Sequence, residues 1–233
     1  METEIPAIFK ARETILPERF TFHSSRMRMK KVTKEELEAM DAMSLKCALE
    51  LSDAHVDVMG YACLVAIMNM GRGYHCVSEV NLHQETIVNG FPTPIVTSAG
   101  ALINGLNVLG AKTVSIITPY MRPLTDMVVD YIEHQGFKVK ESIALEIPDN
   151  LEVAAQNPLN LLDIYKQLDL TGVDVLVASA CVQMPSLEGI DKIEQEIGIP
   201  VTSAAVCTTY EMMKKLGIEA KSTIGGSLLK GNY

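Results

Sequence analysis

An internal repeat constrains the fold of this chain more than any other feature of its sequence. The segment VDVMGYAC at residues 56–63 recurs as VDVLVASAC at residues 173–181. Further along, PIVTSA at residues 94–99 recurs as PVTSA at residues 200–204. Each copy reads as a strand, a cysteine, a helix, a proline, a second strand and a second helix. Because two matches occur in the same order, duplication explains them better than chance likeness between apolar strands.

The pattern between these matches predicts the fold class. Short β-branched runs alternate with helical patterns, which is typical of a parallel sheet with crossover helices. We therefore predict an α/β fold of two pseudosymmetric three-layer αβα halves with parallel four-stranded sheets and an active site in the cleft between them. We assign residues 1–110 to the first half, with 218–233 packing back on it, and residues 111–217 to the second. The predicted strands are residues 19–26, 56–62, 93–97, 112–118, 137–145, 173–179 and 199–203.

The repeat also predicts that the first half lacks its first strand. The second half supplies four strands from residue 112 onward, whereas the first half opens on a helix-like segment at residues 2–11 and supplies three. By the logic of the repeat, a strand and its loop would precede Met1. We expect three strands in the first half and an open groove where the fourth would lie.

Local signals mark several helix boundaries. Thr33 followed by Glu36 forms a capping box at the start of an amphipathic pattern. Asn157 before a proline predicts another helix start. Gly136 predicts the end of the helix that begins near Pro123.

The two cysteines that the repeat aligns, Cys63 and Cys181, each lie where a parallel strand ends and a helix begins. Ligands of open α/β sheets bind at the carboxyl ends of strands. A helix N-terminus there offers free N–H groups and partial positive charge, which also lowers a thiol pKa. A pseudo-twofold axis would bring both cysteines to one cleft, suited to a small substrate with two carboxylates. The alternative, that both are ordinary buried small side chains, is disfavoured by their symmetry.

Composition narrows the possible partners. The formal net charge is −9 and the basic clusters are short, so the broad positive surface that nucleic acid requires is missing. No apolar run reaches the ~20 residues of a membrane span, and the N-terminus lacks the apolar segment of a signal peptide. The five cysteines form no close-set pairs, which argues against a disulfide framework and for the reducing cytoplasm.

Three segments carry a family resemblance: GYACLVAIM (60–68), SACVQMPSLE (179–188) and FTFHSSRMRMK (20–30). They resemble bacterial maleate cis-trans isomerases of the nicotinate-degrading kind, within the aspartate/glutamate racemase superfamily. The resemblance covers essentially the whole chain. It implies a two-domain pseudosymmetric fold, conversion of maleate to fumarate, a cysteine nucleophile and no cofactor. Such folds are commonly homo-oligomers, so we expect a homodimer or a larger assembly.

The resemblance also assigns roles to residues. It implies that Cys63 is the nucleophile, that Cys181 is its acid/base partner, and that Tyr120 and Asn150 bind the carboxylates and the intermediate. A Ser-Ser-Asn-Thr-Thr loop of the family would end just before Met1, so its asparagine has no position here. Backbone N–H groups beside both cysteines are expected to stabilise the developing charge. The expected substrate-binding set is Leu64, Val65, Tyr120, Asn150, Val182 and Gln183.

Without the family resemblance, some of these residues have simpler explanations. Tyr120 could be a core or rim tyrosine, and Asn150 could cap a helix that starts at Leu151. His75, Cys76 and His83 lack the spacing and the fourth ligand of a metal site.

Other functions also stay open: an amino-acid racemase or epimerase, an arylmalonate-type decarboxylase, and a non-enzymatic binding module that would need neither thiol. The apolar residues after Cys63 favour an isomerase, because an ammonium-bearing substrate would need an acidic or polar partner. No arginine or lysine lies beside either cysteine motif. We therefore expect backbone N–H groups and hydroxyls, rather than an arginine clamp, to bind the carboxylates.

Overall fold

The computed structural model describes residues 2–231 and shows an alternation of helices and parallel strands. The strands are β1 (Met59–Tyr61), β2 (Ile95–Thr97), β3 (Thr113–Thr118), β4 (Lys138–Ala144), β5 (Val175–Ser179) and β6 (Val201–Ser203). The longer helices are α1 (Glu4–Arg12), α2 (Lys34–Asp53), α3 (Leu64–Asn69), α4 (Tyr74–Val88), α5 (Ser98–Val108), α6 (Arg122–His134), α9 (Leu187–Ile197) and α10 (Ala204–Lys215). The shorter ones are α7 (Asn150–Ala154), α8 (Leu161–Ile164) and α11 (Gly226–Lys230), with 3-10 turns at Pro158–Asn160 and Tyr165–Gln167.

The strands form two parallel sheets. In the first half, β1 pairs with β2, with Met59 opposite Ile95. In the second half, four strands lie in the order β4-β3-β5-β6, which confirms the predicted four-stranded parallel sheet. The carboxyl ends of β3 and β5 are neighbours, and the Ala180 N–H donates to the Ile117 carbonyl at 2.9 Å. This order brings the segments that follow β3 and β5 to one edge of the sheet.

The first half differs from the prediction, because residues 19–26 form no strand. Phe20 and Phe22 pack instead on Phe9 of α1, with ring centroids 4.6 and 5.8 Å away. The Phe20 N–H donates to the Glu13 carboxylate at 3.0 Å. This N–H is therefore not available for hydrogen bonds to a neighbouring strand. Alternation of polar and apolar residues predicted a strand, but a strand also requires a neighbour with which to pair. Within residues 2–231, the first half therefore has two strands rather than three.

The predicted helix signals are observed with one change. The Thr33 hydroxyl accepts from the Glu36 N–H at 3.4 Å at the start of α2. The Glu36 carboxylate accepts from the Lys30 and Lys31 N–H groups, at 2.5 and 2.9 Å, rather than from Thr33. Only half of the capping box forms, and its acidic member instead fixes the segment before the helix.

Two further boundaries agree with the sequence. The Asn157 side chain accepts from the Leu159 N–H at 3.0 Å and so caps the first 3-10 turn. Gly136 has a φ of 95° just after α6, a left-handed conformation that glycine adopts at little cost.

Contacts between α1, α5 and the second half join the two sheets into one body. The buried Glu4 carboxylate of α1 accepts from the Ser186 and Leu187 N–H groups, at 2.6 and 2.5 Å, at the start of α9. Helices α5 and α10 pack closely through Gly105, where an added Cβ would lie 2.5 Å from the Cys207 sulfur. None of the helices in residues 2–231 is both long and apolar enough to cross a membrane.

The C-terminal segment contacts both halves. Helix α11 packs on α9, α10 and β6 of the second half. The Ser222 hydroxyl donates to the Ile8 carbonyl of α1 at 3.0 Å. The predicted boundaries at 110/111 and 217/218 stay predictions, and Met1 and residues 232–233 lie outside the described range.

Candidate active site

One cavity lies where the chain leaves β1, β3 and β5. Cys63, Tyr120 and Cys181 each lie two residues beyond the end of one of these strands. The cavity has an empty volume of about 310 Å³, part of it open to solvent. Its lining residues are Met29, Val32, Ala62, Cys63, Leu64, Val65, Tyr120, Asn150, Cys181, Val182 and Gln183. Every residue predicted for the site is among these lining residues.

Cys63 occupies the N-cap position of α3, with the extended backbone that a cap requires. The Ala66 N–H donates to its sulfur, as expected for a free N–H of the first helical turn. Burial, together with a smaller effect of the nearby Cys181 sulfur, nevertheless raises the pKa of the Cys63 thiol to about 12. The expected lowering of this thiol pKa is therefore wrong, because one N–H bond does not offset desolvation in a cavity that no arginine or lysine of residues 2–231 lines.

Cys181 is buried in the loop between β5 and α9. The Tyr120 hydroxyl and the Gln183 and Met184 N–H groups donate to its sulfur and lower the thiol pKa, but burial outweighs them and the net shift is upward. The Ser179 hydroxyl donates to the Cys181 and Met184 carbonyls, at 2.9 and 3.2 Å, and so shapes the loop. Both cysteines thus receive N–H groups from the residues just after them, as the repeat predicts.

Tyr120 is buried between the two thiols. Its hydroxyl donates to the Ala180 carbonyl at 3.3 Å and interacts with both cysteine sulfurs. Burial raises the pKa of Tyr120 well above its usual value, so the hydroxyl stays protonated and can donate to an anionic oxygen. Tyr120 lines the cavity and is also buried like a core tyrosine, so its binding role stays a prediction.

Asn150 is not the cap of its helix. The Asp149 carboxylate takes that role and accepts from the Leu151 and Glu152 N–H groups at 2.7 and 3.1 Å. The Asn150 side chain is therefore not needed for capping, and Asn150 is one of the residues that line the cavity. The Asn150 carbonyl accepts from the Gln183 amide at 2.5 Å, which ties this wall to the Cys181 loop.

Three lining residues were not predicted: Met29, Val32 and Ala62. The first two lie in the irregular segment before α2, where Lys31 forms a single antiparallel bridge with Asp149. This bridge carries the segment from the first half across to the wall that holds Asn150. Periodicity could not have placed it, although the family resemblance of residues 20–30 already included Met29.

The histidines and Cys76 of α4 do not converge. The Nδ1 atom of His75 bonds the Tyr131 hydroxyl at 2.5 Å, whereas Nδ1 of His83 bonds the Thr93 carbonyl at 2.7 Å. Cys76 is exposed. Across residues 2–231, no group of three His, Cys, Asp or Glu side chains is arranged to hold a metal ion.

The chemistry of the cavity follows from its lining. Two protonated thiols and a neutral tyrosine hydroxyl lie beside amide and backbone N–H groups, and apolar side chains of Met29, Val32 and Leu64 line the same space. No arginine or lysine from residues 2–231 lines it. Arg72 pairs with Asp130 at the surface and Arg122 with Ser142. Fold and site together define an α/β enzyme with paired cysteines at the ends of equivalent strands.

Comparison with known proteins agrees with this class. The sequence model of the arylmalonate decarboxylase family matches residues 7–229. The maleate isomerase of Pseudomonas putida is 59% identical over 233 residues, which span 100% of this chain and 93% of that protein.

Two solved structures extend the likeness to the fold. A cysteine-to-alanine variant of the P. putida S16 maleate isomerase, crystallised with maleate, has a TM-score of 0.98 at 59% identity, over 100% of this chain and 93% of that one. A cysteine-to-serine variant of the Nocardia farcinica maleate cis-trans isomerase, with a covalently bound succinylcysteine intermediate, has a TM-score of 0.95 at 41% identity, over 100% and 94%. The chain belongs to the arylmalonate decarboxylase family, and its resemblance to maleate isomerases is confirmed over its whole length.

Proposed function

We propose that this protein converts maleate to fumarate without a cofactor, through a covalent adduct on Cys63. The observation that carries the proposal is the meeting of two thiols, one neutral hydroxyl and an amide wall at a single cavity. The succinylcysteine of the N. farcinica enzyme supports it, because that adduct is what a cysteine forms by adding to a four-carbon unsaturated diacid.

The proposed reaction has three steps. The Cys63 sulfur attacks one alkene carbon, a carbon–sulfur bond forms, and the π electrons move toward the neighbouring carboxylate as an enediolate-like anion. Cys181 gives its own thiol proton to the carbon that received the electrons and takes up the Cys63 proton in the same step. The central bond is then single and rotates. Removal of a proton from the carbon that Cys181 protonated and breakage of the carbon–sulfur bond release fumarate and restore both thiols.

Stabilisation of the anion is assigned to neutral donors. The cavity is lined by Leu64, Val65, Tyr120, Asn150, Val182 and Gln183. We assign this role to the Tyr120 hydroxyl, the Asn150 side-chain amide and the backbone N–H groups of the other four residues. Donors that are already oriented act most strongly on charge that develops during the reaction. A bound dicarboxylate held by Arg72, Arg122 or another arginine would contradict this assignment.

The decisive test replaces the thiols one at a time. Cys63→Ala should reduce turnover of maleate by at least ~10³-fold, as loss of a covalent nucleophile usually does. Cys181→Ser should retain a trace, because a hydroxyl still forms hydrogen bonds. Fumarate is measured by proton NMR, and Cys76→Ala serves as the control because this exposed cysteine lies outside the cavity.

Unchanged turnover in Cys63→Ala would rule out covalent catalysis at that residue. The racemase alternative makes a different prediction, since solvent deuterium would then appear at the α carbon of an amino acid. Incubating the enzyme with maleate and, separately, with an amino acid in deuterated buffer distinguishes isomerisation from racemisation.

We also propose a homo-oligomer in the cytoplasm, acting in nicotinate degradation, with no nucleic-acid or membrane partner. Support for a second copy comes from α4, where Val77, Val80, Ile87 and Val88 are exposed, Val88 at 74%. Apolar side chains along one helix face are typical of a protein–protein contact. Light scattering should report a dimer or larger species, and Val80→Glu should shift it toward the monomer. A monomeric wild-type protein at micromolar concentration would contradict this proposal.

A further inference from the structure

Helix α2 carries a buried carboxylate, Asp41, that takes no part in the proposed reaction. Asp41 is only 8% exposed, and its neighbours on the same helix face, Leu37, Met40 and Ala48, are core residues. Burial of a carboxylate is costly unless its oxygens are bonded. Among the described residues no cation pairs with Asp41; its bonds come from two tyrosines. The Tyr61 hydroxyl donates to Oδ1 at 3.3 Å and the Tyr74 hydroxyl donates to Oδ2 at 2.6 Å.

The positions of these tyrosines relate Asp41 to the active site. Tyr61 ends β1, two residues before Cys63, and is buried. Tyr74 begins α4, just after the turn that follows α3, the helix whose N-cap is Cys63. One carboxylate therefore binds both sides of the segment that presents Cys63. Helix α2 also packs directly on β1, α3 and α4, so the bonds attach this segment to a long rigid helix.

Electrostatics shows how close this cluster lies to the nucleophile. Burial raises the pKa of Tyr61, and its interactions with Cys63 and Asp41 raise it further. Burial, with the bond to Asp41, raises the pKa of Tyr74 to about 12. Both hydroxyls therefore remain donors at neutral pH, and the two bonds to Asp41 persist under working conditions.

We infer that Asp41 is a positioning residue for Cys63, and that it holds the β1–α3 turn by binding Tyr61 and Tyr74 at once. The inference rests on the proposed role of Cys63 as nucleophile. A misplacement of about 1 Å can lower a rate by about 100-fold, so a clamp on both sides of the reacting residue controls turnover. A purely structural purpose would be met as well by apolar packing, which commonly replaces buried polar groups at no cost in stability.

The experiment compares Asp41→Ala, Asp41→Asn and Tyr74→Phe with wild type. We expect kcat for maleate to fall about 100-fold in Asp41→Ala and about 10-fold in Tyr74→Phe. Asp41→Asn should be intermediate, because its amide oxygen accepts one hydroxyl. KM should stay within about threefold, since neither Asp41 nor Tyr74 lines the cavity.

A second readout does not depend on turnover. Iodoacetamide should alkylate the Cys63 thiol about fivefold faster in the Asp41 variants, because a loosened turn exposes the sulfur. Faster alkylation together with slower turnover distinguishes lost positioning from general damage. Glu194→Gln is the matched control. Glu194 accepts from the Val201 and Ser227 N–H groups, at 2.9 and 3.0 Å, at a place that does not line the cavity.

Three results would overturn the inference. A kcat within twofold of wild type in Asp41→Asn and Tyr74→Phe would overturn the inference. A loss of kcat without faster alkylation, or an equal loss in Glu194→Gln, would also overturn it. If Asp41→Ala does not fold, Tyr74→Phe decides, because Tyr74 is only partly buried. Activity in Cys63→Ala would instead contradict the proposed function, and the alkylation rate would still decide whether Asp41 holds this segment.

Discussion

The protonation state of Cys63 in the free enzyme gives the sharpest test of the site. Burial raises the pKa of this thiol from an ordinary 9.0 to about 12. At about pH 8, the thiolate fraction falls from roughly one in ten to roughly one in ten thousand. A thiolate of higher pKa is also more nucleophilic, by about 20-fold for a Brønsted slope of 0.4–0.5. Cys63 should therefore react with iodoacetamide about 50-fold more slowly than an ordinary thiol of equal access.

The assay follows alkylation of each cysteine by peptide mass spectrometry in the absence of substrate. Because burial also restricts access, the pH dependence is a better measure than the absolute rate. The Cys63 rate should rise about tenfold for each pH unit up to about pH 10, without levelling off. Glutathione in the same solution is the reference, since its thiol is fully accessible. A Cys63 rate that levels off below about pH 9, or that equals the glutathione rate at neutral pH, would refute the reasoning.

Three further predictions concern packing, stability at alkaline pH and the reaction itself. Gly105→Ala places a Cβ 2.5 Å from the Cys207 sulfur and should lower the free energy of unfolding in urea by about 1–3 kcal/mol. Adding Cys207→Ala should recover most of this loss, and an unchanged unfolding midpoint for Gly105→Ala alone would contradict the packing. Burial raises the pKa of Cys207 to about 12, so the unfolded chain loses this proton first and the contribution of Cys207 to stability should decrease by about 1.4 kcal/mol for each pH unit between about pH 9 and 12. Cys63 adds a similar slope, so Cys207→Ala should reduce the total slope by about this amount, and an identical slope would contradict the reasoning. Tyr120→Phe removes a hydroxyl directed at the thiols and should lower kcat about 10–100-fold with little change in melting temperature, whereas full activity would place the oxyanion donor elsewhere.

The cavity could be located from the sequence because the repeat aligns equivalent strand ends in the two halves. Cys63 and Cys181 are aligned by the repeat, and each lies two residues past the end of its strand. Tyr120 has the same offset from β3, although the repeat supplied no partner for it. Its role and that of Asn150 came from the family resemblance alone. Asn150 illustrates the limit, because only the structure showed that Asp149 caps the helix.

Other features could not be predicted, since they depend on contacts between distant segments. The pattern at residues 19–26 is that of a strand, but the packing of Phe20 on Phe9 decides its conformation. Asp41 interrupts an apolar stripe without any local sign that Tyr61 and Tyr74 would meet it. The sign of the thiol pKa shift was also wrong, because a helix N-terminus can be recognised from sequence whereas the depth of burial cannot.

The upward pKa shifts make physical sense together with a cavity that no arginine or lysine of residues 2–231 lines. The substrate proposed here is a dianion, and the chain carries a formal net charge of −9. A thiolate about 4 Å from a carboxylate would repel it by about 4 kcal/mol at an effective dielectric constant of about 20. Two resting thiolates would therefore oppose binding, and no arginine or lysine among the described lining residues would offset them. Protonated thiols remove that repulsion, and the N–H and hydroxyl donors can then form hydrogen bonds with the carboxylates. The proton then needs to leave Cys63 only as its sulfur bonds to carbon, when the new negative charge lies on the substrate and faces the same donors. Under the proposed function, the burial of Cys181 and the partial burial of Cys63 thus favour binding of the anion, and Cys181 can take up the Cys63 proton as it gives its own proton to carbon.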